Sequence, residues 1–176
     1  MSLMLTTLRL AALFFGLALA AVTDIRTGKL PNRLTVPMAA VGLALGACGG
    51  LAGLWFSGAG LVCGFAVGFV LWLLGVFRAG DSKLLCAMGA FLGWRRLLLS
   101  FCWALLCGAV LGVFVLLKKR ALRERAVRLR DYFRSLLLRR SFAVYAAAPG
   151  SERELPFSVP LLLGTLLTLA SSCAIK

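Results

Sequence analysis

Apolar runs interrupted by short basic stretches dictate what this chain can become. They fall at about residues 3–23, 34–54, 58–77, 84–94, 97–117 and 156–174. A helix rising ~1.5 Å per residue needs about 20 residues to cross the ~30 Å hydrocarbon core of a bilayer. Leu97 to Leu117 has that length, whereas Leu84 to Trp94 is too short to cross alone and must borrow residues at both ends. Composition agrees with the pattern: 61% of residues are hydrophobic, 15% are charged and mean hydropathy is +0.97. Soluble domains run near ~45–50% apolar and ~25% charged. The 176 residues therefore read as one compact all-α domain, residues 1–176, embedded in a membrane.

Charge orients the runs. A formal charge of +14 could signal nucleic acid, but the basic residues lie between apolar runs instead of covering a soluble face, so that reading is set aside. Sixteen of the twenty lysines and arginines sit in three stretches, 24–33, 78–83 and 118–155. Basic loops favour the cytoplasmic side, which puts all three there. The chain must then cross an even number of times between each pair. Residues 33–78 turn in the uncharged stretch GGLAGLWFSGAG (49–60), and 83–118 turn at Arg95 and Arg96. The result is six transmembrane helices with both ends outside. The stretch 118–140 reads either as a basic amphipathic helix on the anionic cytoplasmic leaflet or as a solvated charged loop. The amino-terminal run, with Arg9 and an AxA-like LALAAV, has the look of a cleavable signal. It is read as a retained span, because cleavage near Ala20 would leave Asp24 beside a free terminus.

Residue types narrow the chemistry. The chain has no histidine, which excludes Ser-His and Cys-His nucleophilic machinery and histidine-based metal sites. Its six cysteines (Cys48, Cys63, Cys86, Cys102, Cys107 and Cys173) lie in apolar runs without a CxxC pair. They read as small buried apolar residues, with no metal site and no cofactor expected. Of six acids, Glu124, Asp131, Glu152 and Glu154 share the basic stretch; Asp24 and Asp81 stand instead at the lips of apolar runs. Acids at membrane depth are functional-site candidates. Held close together, two carboxylates cannot both ionise easily and so share a proton. Such a pair can hydrolyse an amide, one member taking a proton from water while the other protonates the carbonyl oxygen. Gly80, directly before Asp81, would let a substrate backbone come near. Each aspartate also has basic sequence neighbours, so ordinary juxtamembrane ion pairs are the competing reading.

Three segments resemble the prepilin peptidases, the GxGD aspartic proteases of membranes. TDIRTGKLPNRLT (23–35) is similar to that family's first signature: an aspartate, a basic stretch, then a Pro-Asn pair. AGDSKLLCAMGAFLGW (79–94) resembles the second, and ELPFSVPLLLGTLLTL (154–169) the closing Pro-aromatic start of the last helix. The resemblance implies a polytopic aspartic endopeptidase of the cytoplasmic membrane. It would remove the leader from type IV prepilins, pseudopilins or Flp-type prepilins on the cytoplasmic side, with prepilin and lipid bilayer as partners. Carried over residue by residue, Asp24 and Asp81 would be catalytic, with Gly80 as the motif glycine and Lys83, Pro31 and Asn32 as motif neighbours. Arg78 stands where the first motif glycine is expected. No cysteine-bearing segment lies between the first span and the catalytic loop, which points to a peptidase without amino-methylation.

Two rivals make different demands. Signal-peptide-peptidase or presenilin-like proteases carry a tyrosine before the first aspartate and a PAL motif; Thr23 precedes Asp24, and no PAL occurs. A small transporter or assembly component using the acid pair would place its acids inside the membrane instead of beside basic loops.

Overall fold

The structure is a computed structural model, and it describes residues 3–118 and 157–174. All secondary structure among these residues is helical. Five helices follow one another: α1 (Leu3–Thr27), α2 (Asn32–Ala47), α3 (Gly50–Leu73), α4 (Ala79–Lys118) and α5 (Ser158–Ala174). Three of them contain stretches long and apolar enough to cross a bilayer: Met4–Thr27, Gly50–Leu73 and Ala79–Val115. The stretch read as amphipathic helix or charged loop lies, beyond Lys118, outside the described residues.

α4 is not one straight rod. Gly93 has φ 72° and ψ 167°, a conformation that breaks the helix into arms at 79–92 and 94–118. Positive φ is open to glycine and costly for other residues. A Cβ at Gly93 would also collide with the Phe56 ring. The short run 84–94 thus becomes an arm that begins at Ala79, borrowing residues chiefly at its amino-terminal end.

The turn expected across 49–60 is corrected. The chain reverses at Cys48 and Gly49, and α3 is already helical from Gly50. Glycine costs about 1 kcal/mol in a helix interior relative to alanine, so a glycine-rich stretch reads as a turn. Packing overrides that preference. Gly53, Ser57, Gly60, Gly64 and Gly68 form the buried face of α3. A methyl on Gly60 would overlap the Gly89 carbonyl, and one on Gly64 would meet the Leu85 carbonyl. Small residues at this spacing let two helix backbones approach closely, which drives association where lipid offers no hydrophobic gain.

The interior is built from Leu13, Leu17 and Ala20 on α1, Met38 on α2, Leu84, Leu85, Met88 and Phe91 on α4, and Leu161 on α5. The outward faces are equally apolar, with Phe15, Trp55, Val62, Phe65 and Val110 exposed, as suits contact with hydrocarbon. Buried positions on α1 run Arg9, Leu13, Gly16, Leu17, Ala20 and Asp24. This is one stripe at helical spacing with a charge at each end. At the first end, Arg9 is 3% exposed. Its Nη2 donates to Ser57 Oγ at 2.5 Å and to the Ala90 carbonyl at 3.1 Å. The guanidinium also lies 5.4 Å from the Phe56 ring centroid. A cation at membrane depth needs such partners. They tie α1 to α3, and to α4 just before its break.

Candidate active site

Asp24 stands at the other end of the α1 stripe, one turn before the helix ends. Gly28 stops α1: its φ is +63°, and its N–H donates to the Asp24 carbonyl at 2.8 Å, the left-handed cap that glycine adopts readily. Residues 28–31 then cross to α2, where the Pro31 carbonyl accepts from Leu34 N–H at 3.0 Å. Proline suits this place because its missing N–H removes no helix bond. Asp81 lies in the first turn of α4. Acids in a first turn are favoured by the helix dipole.

The fold brings these two acids to one place although 57 positions separate them in the sequence. Asp24 is 7% exposed and Asp81 8%. Both line a cavity of about 450 Å³ together with Lys29, Asn32, Gly80 and Lys83. Both also line a second cavity of about 270 Å³ closed by Phe77, Leu105 and Phe157. Phe77 and Phe157 pack with ring centroids 4.6 Å apart, and Phe77 meets Phe101 edge-on at 5.9 Å. One side of the acid pair is therefore polar and the other walled by aromatic rings.

Asp24 has a partner that the sequence did not reveal. Ser158, the first residue of α5 and fully buried, donates its hydroxyl to Asp24 Oδ2 at 2.6 Å. The Ser158 backbone N–H points at the same oxygen at 3.3 Å. This N–H belongs to the first turn of a helix, where donors lack intrahelical acceptors. The signal available in the sequence was a serine directly after a Pro-aromatic pair at the start of an apolar run. A lone serine there is too ordinary to single out.

The remaining expected residues form the frame. Lys83 Nζ donates to Asn32 Oδ1 at 2.8 Å. Arg78, in place of the first motif glycine, donates from Nη1 to the Gly28 carbonyl at 2.7 Å. Gly80 faces the chain's own Leu30: a Cβ at Gly80 would lie 2.9 Å from Leu30 Cβ. Gly80 thus packs against Leu30 of the 28–31 loop while also lining the cavity of the two acids. Among the described residues no three histidine, cysteine, aspartate or glutamate side chains gather as a metal site would require. Cys48, Cys63, Cys86, Cys102 and Cys107 are unpaired thiols.

Comparison with known proteins adds the family. The type IV leader peptidase family matches residues 11–113, a stretch that includes Asp24, Asp81 and the helices between them. A prepilin leader peptidase/N-methyltransferase of Burkholderia pseudomallei (strain 1026b) is 36% identical over 104 residues, covering 55% of this chain and 33% of the relative. The protein of the same name from Aeromonas hydrophila is 36% identical over 120 residues, with 61% and 40% covered. Prepilin peptidase EppA of Methanothermobacter thermautotrophicus is 33% identical over 87 residues, with 47% and 23% covered. The chain spans two fifths or less of the length of these curated relatives. No solved structure matches it. Because the family match covers more than half of the chain, this protein belongs to the type IV leader peptidase family.

Proposed function

We propose that this protein is a membrane aspartic endopeptidase that removes leader peptides from type IV prepilins, pseudopilins or Flp-type prepilins. Asp24 and Asp81 are its catalytic pair. One observation carries the reading: the two acids that composition does not explain line the same two cavities. Amide hydrolysis by water needs a base for the attacking water and an acid for the carbonyl oxygen at the same moment. A pair of carboxylates sharing one proton supplies both. Gly80, Asn32 and Lys83 shape the cavity wall and do not react, and Pro31 starts α2 beside it.

The chain forms one domain with six spans. α1, α2, α3, the two arms of α4, and α5 each cross once, and the basic segment 118–155 lies in the cytoplasm. Cleavage takes place at the cytoplasmic face, because the 28–31 loop and Arg78 flank the acids with the cationic stretches that favour that side. Methyl transfer is absent from this activity: α1 and α2 are joined by residues 28–31 alone, leaving no room for an inserted segment there.

The test is cleavage of a prepilin by membranes containing the wild type, Asp24→Asn, Asp81→Asn or both, at matched and inserted levels. Each single variant should lose nearly all activity, and the double variant should be little worse, because groups acting as a unit are not additive. Substantial cleavage by Asp81→Asn would refute the aspartic mechanism and leave the acids as ion-pair or proton-handling groups.

A further inference from the structure

Beside the acid cavity, α2, α3 and the first arm of α4 enclose an open groove of about 350 Å³. Its outer walls are Val36 on α2 and Phe65, Phe69 and Trp72 on α3, all exposed. The three rings form a ladder, with centroids 5.5 and 5.8 Å apart. Most polar side chains in the groove are already engaged. Ser82 donates to the Gly68 carbonyl at 2.8 Å, Cys86 to the Leu61 carbonyl at 3.4 Å and Lys83 to Asn32. Thr35 differs. It is 2% exposed, it lines the groove, and its Oγ1 has no hydrogen-bond partner among the described residues. A buried hydroxyl left unpaired is costly. At the floor of an open groove, it points to a partner that arrives from outside.

The groove is continuous with the acids. Ala79 and Lys83 line both it and the larger acid cavity, and Asp81 lies between them on α4. A chain lying across the acids therefore runs on into the groove. The volume is near the small end of ligand pockets, ~300–1,000 Å³, which suits a few side chains and not a whole helix. A peptide bond inside a helix has its N–H and C=O committed along that helix, so the stretch to be cut must be unwound. Backbone groups freed at membrane depth need protein partners. A threonine hydroxyl can donate to a carbonyl or accept from an N–H.

We propose that this groove is a substrate subsite, which holds the apolar chain flanking the scissile bond in extended form and bonds its backbone to Thr35 Oγ1. This rests on the peptidase reading above. A lipid tail would also fit apolar walls, but it carries no group that could satisfy Thr35.

The experiment uses the full chain in membranes with a prepilin. A benzophenone side chain at position 36 should crosslink to the prepilin on illumination, with or without Asp24→Asn. One at position 110, on an outward face, should not. Thr35→Val should raise KM for cleavage about fivefold, as loss of one hydrogen bond implies, with kcat near wild type because the bond holds substrate and transition state alike. The same variant should unfold at a higher temperature in detergent, since it removes a hydroxyl unpaired in the free protein. Thr35→Ser keeps the hydroxyl and should restore KM. Crosslinks from position 36 to lipid alone, or equal prepilin crosslinks from both positions, would overturn the subsite. So would an unchanged KM or a lowered unfolding midpoint in Thr35→Val. If the wild type cleaves nothing while position 36 still crosslinks to prepilin, the peptidase reading falls and the groove stands as a prepilin site. Cleavage without that crosslink removes the groove and leaves the peptidase.

Discussion

Lys83 and Asn32 meet 2.8 Å apart, across the gap between the start of α4 and the start of α2. With the Arg78 contact to the Gly28 carbonyl, this fastens both ends of the 28–31 loop to the segment that carries Asp81. Gly80 lies between the two fastenings against Leu30, so the loop is held over the acid pair on three sides. Lys83→Met and Asn32→Ala should each slow prepilin cleavage a few-fold, and the double variant should be no slower than the worse single one. Cleavage rates at matched expression, combined as a double-mutant cycle, measure this coupling. Additive losses would mean that the two side chains act separately.

The α3–α4 packing makes a sharper prediction. Gly60→Leu would drive a side chain into the Gly89 backbone, whereas a methyl at Gly58 meets nothing within 4 Å. Overpacking against backbone costs about 1–3 kcal/mol or more. Gly58→Ala replaces a poor helix former in open space and should be neutral or slightly stabilising. Thermal unfolding in detergent should separate the two variants. Equal midpoints would show that α3 and α4 do not pack by their glycine faces.

Topology can be measured residue by residue. Single-cysteine accessibility or reporter fusions should place positions 30, 80 and 130 on the cytoplasmic side. An external position 80 would remove both the six-span arrangement and the pairing of Asp81 with Asp24.

The proposed lack of methyl transfer is also direct to test. Incubated with a prepilin and a labelled methyl donor, the protein should yield cleaved but unlabelled pilin. Label on the new amino terminus would show that the short link between α1 and α2 is enough for both reactions.

Much of this arrangement was legible because a bilayer imposes a length rule. Each apolar run is helical over most of its length, although 34–54 also holds the turn at Cys48 and Gly49, and the two aspartates stood out because each stood at an expected boundary. Their meeting in space followed from helix order, with Asp24 at the end of α1 and Asp81 at the start of α4. What stayed hidden depended on distant partners. The glycines at 49–60 read as a turn because their local preference is for turns, and only the fold shows Gly53 packed against the α2 backbone at Gly46 and Gly60 against the α4 backbone at Gly89. Arg78 looked like a departure from a motif, and its purpose appears only with the Gly28 carbonyl beside it. Ser158 carried no signal of its own, because its meaning lies in an oxygen atom of α1.

That last contact joins positions 134 apart in the chain, which gives the site a history as well as a geometry. A ribosome delivers Asp24 and Asp81 early and Ser158 only after α4 and the long basic segment have been made. Throughout that interval Asp24 lacks both of its donors from α5, and Phe157 is not there to wall the aromatic side. The growing chain therefore carries both acids before it carries the helix that supplies the donors to Asp24. The surroundings of the acid pair are complete only once α5 has been added.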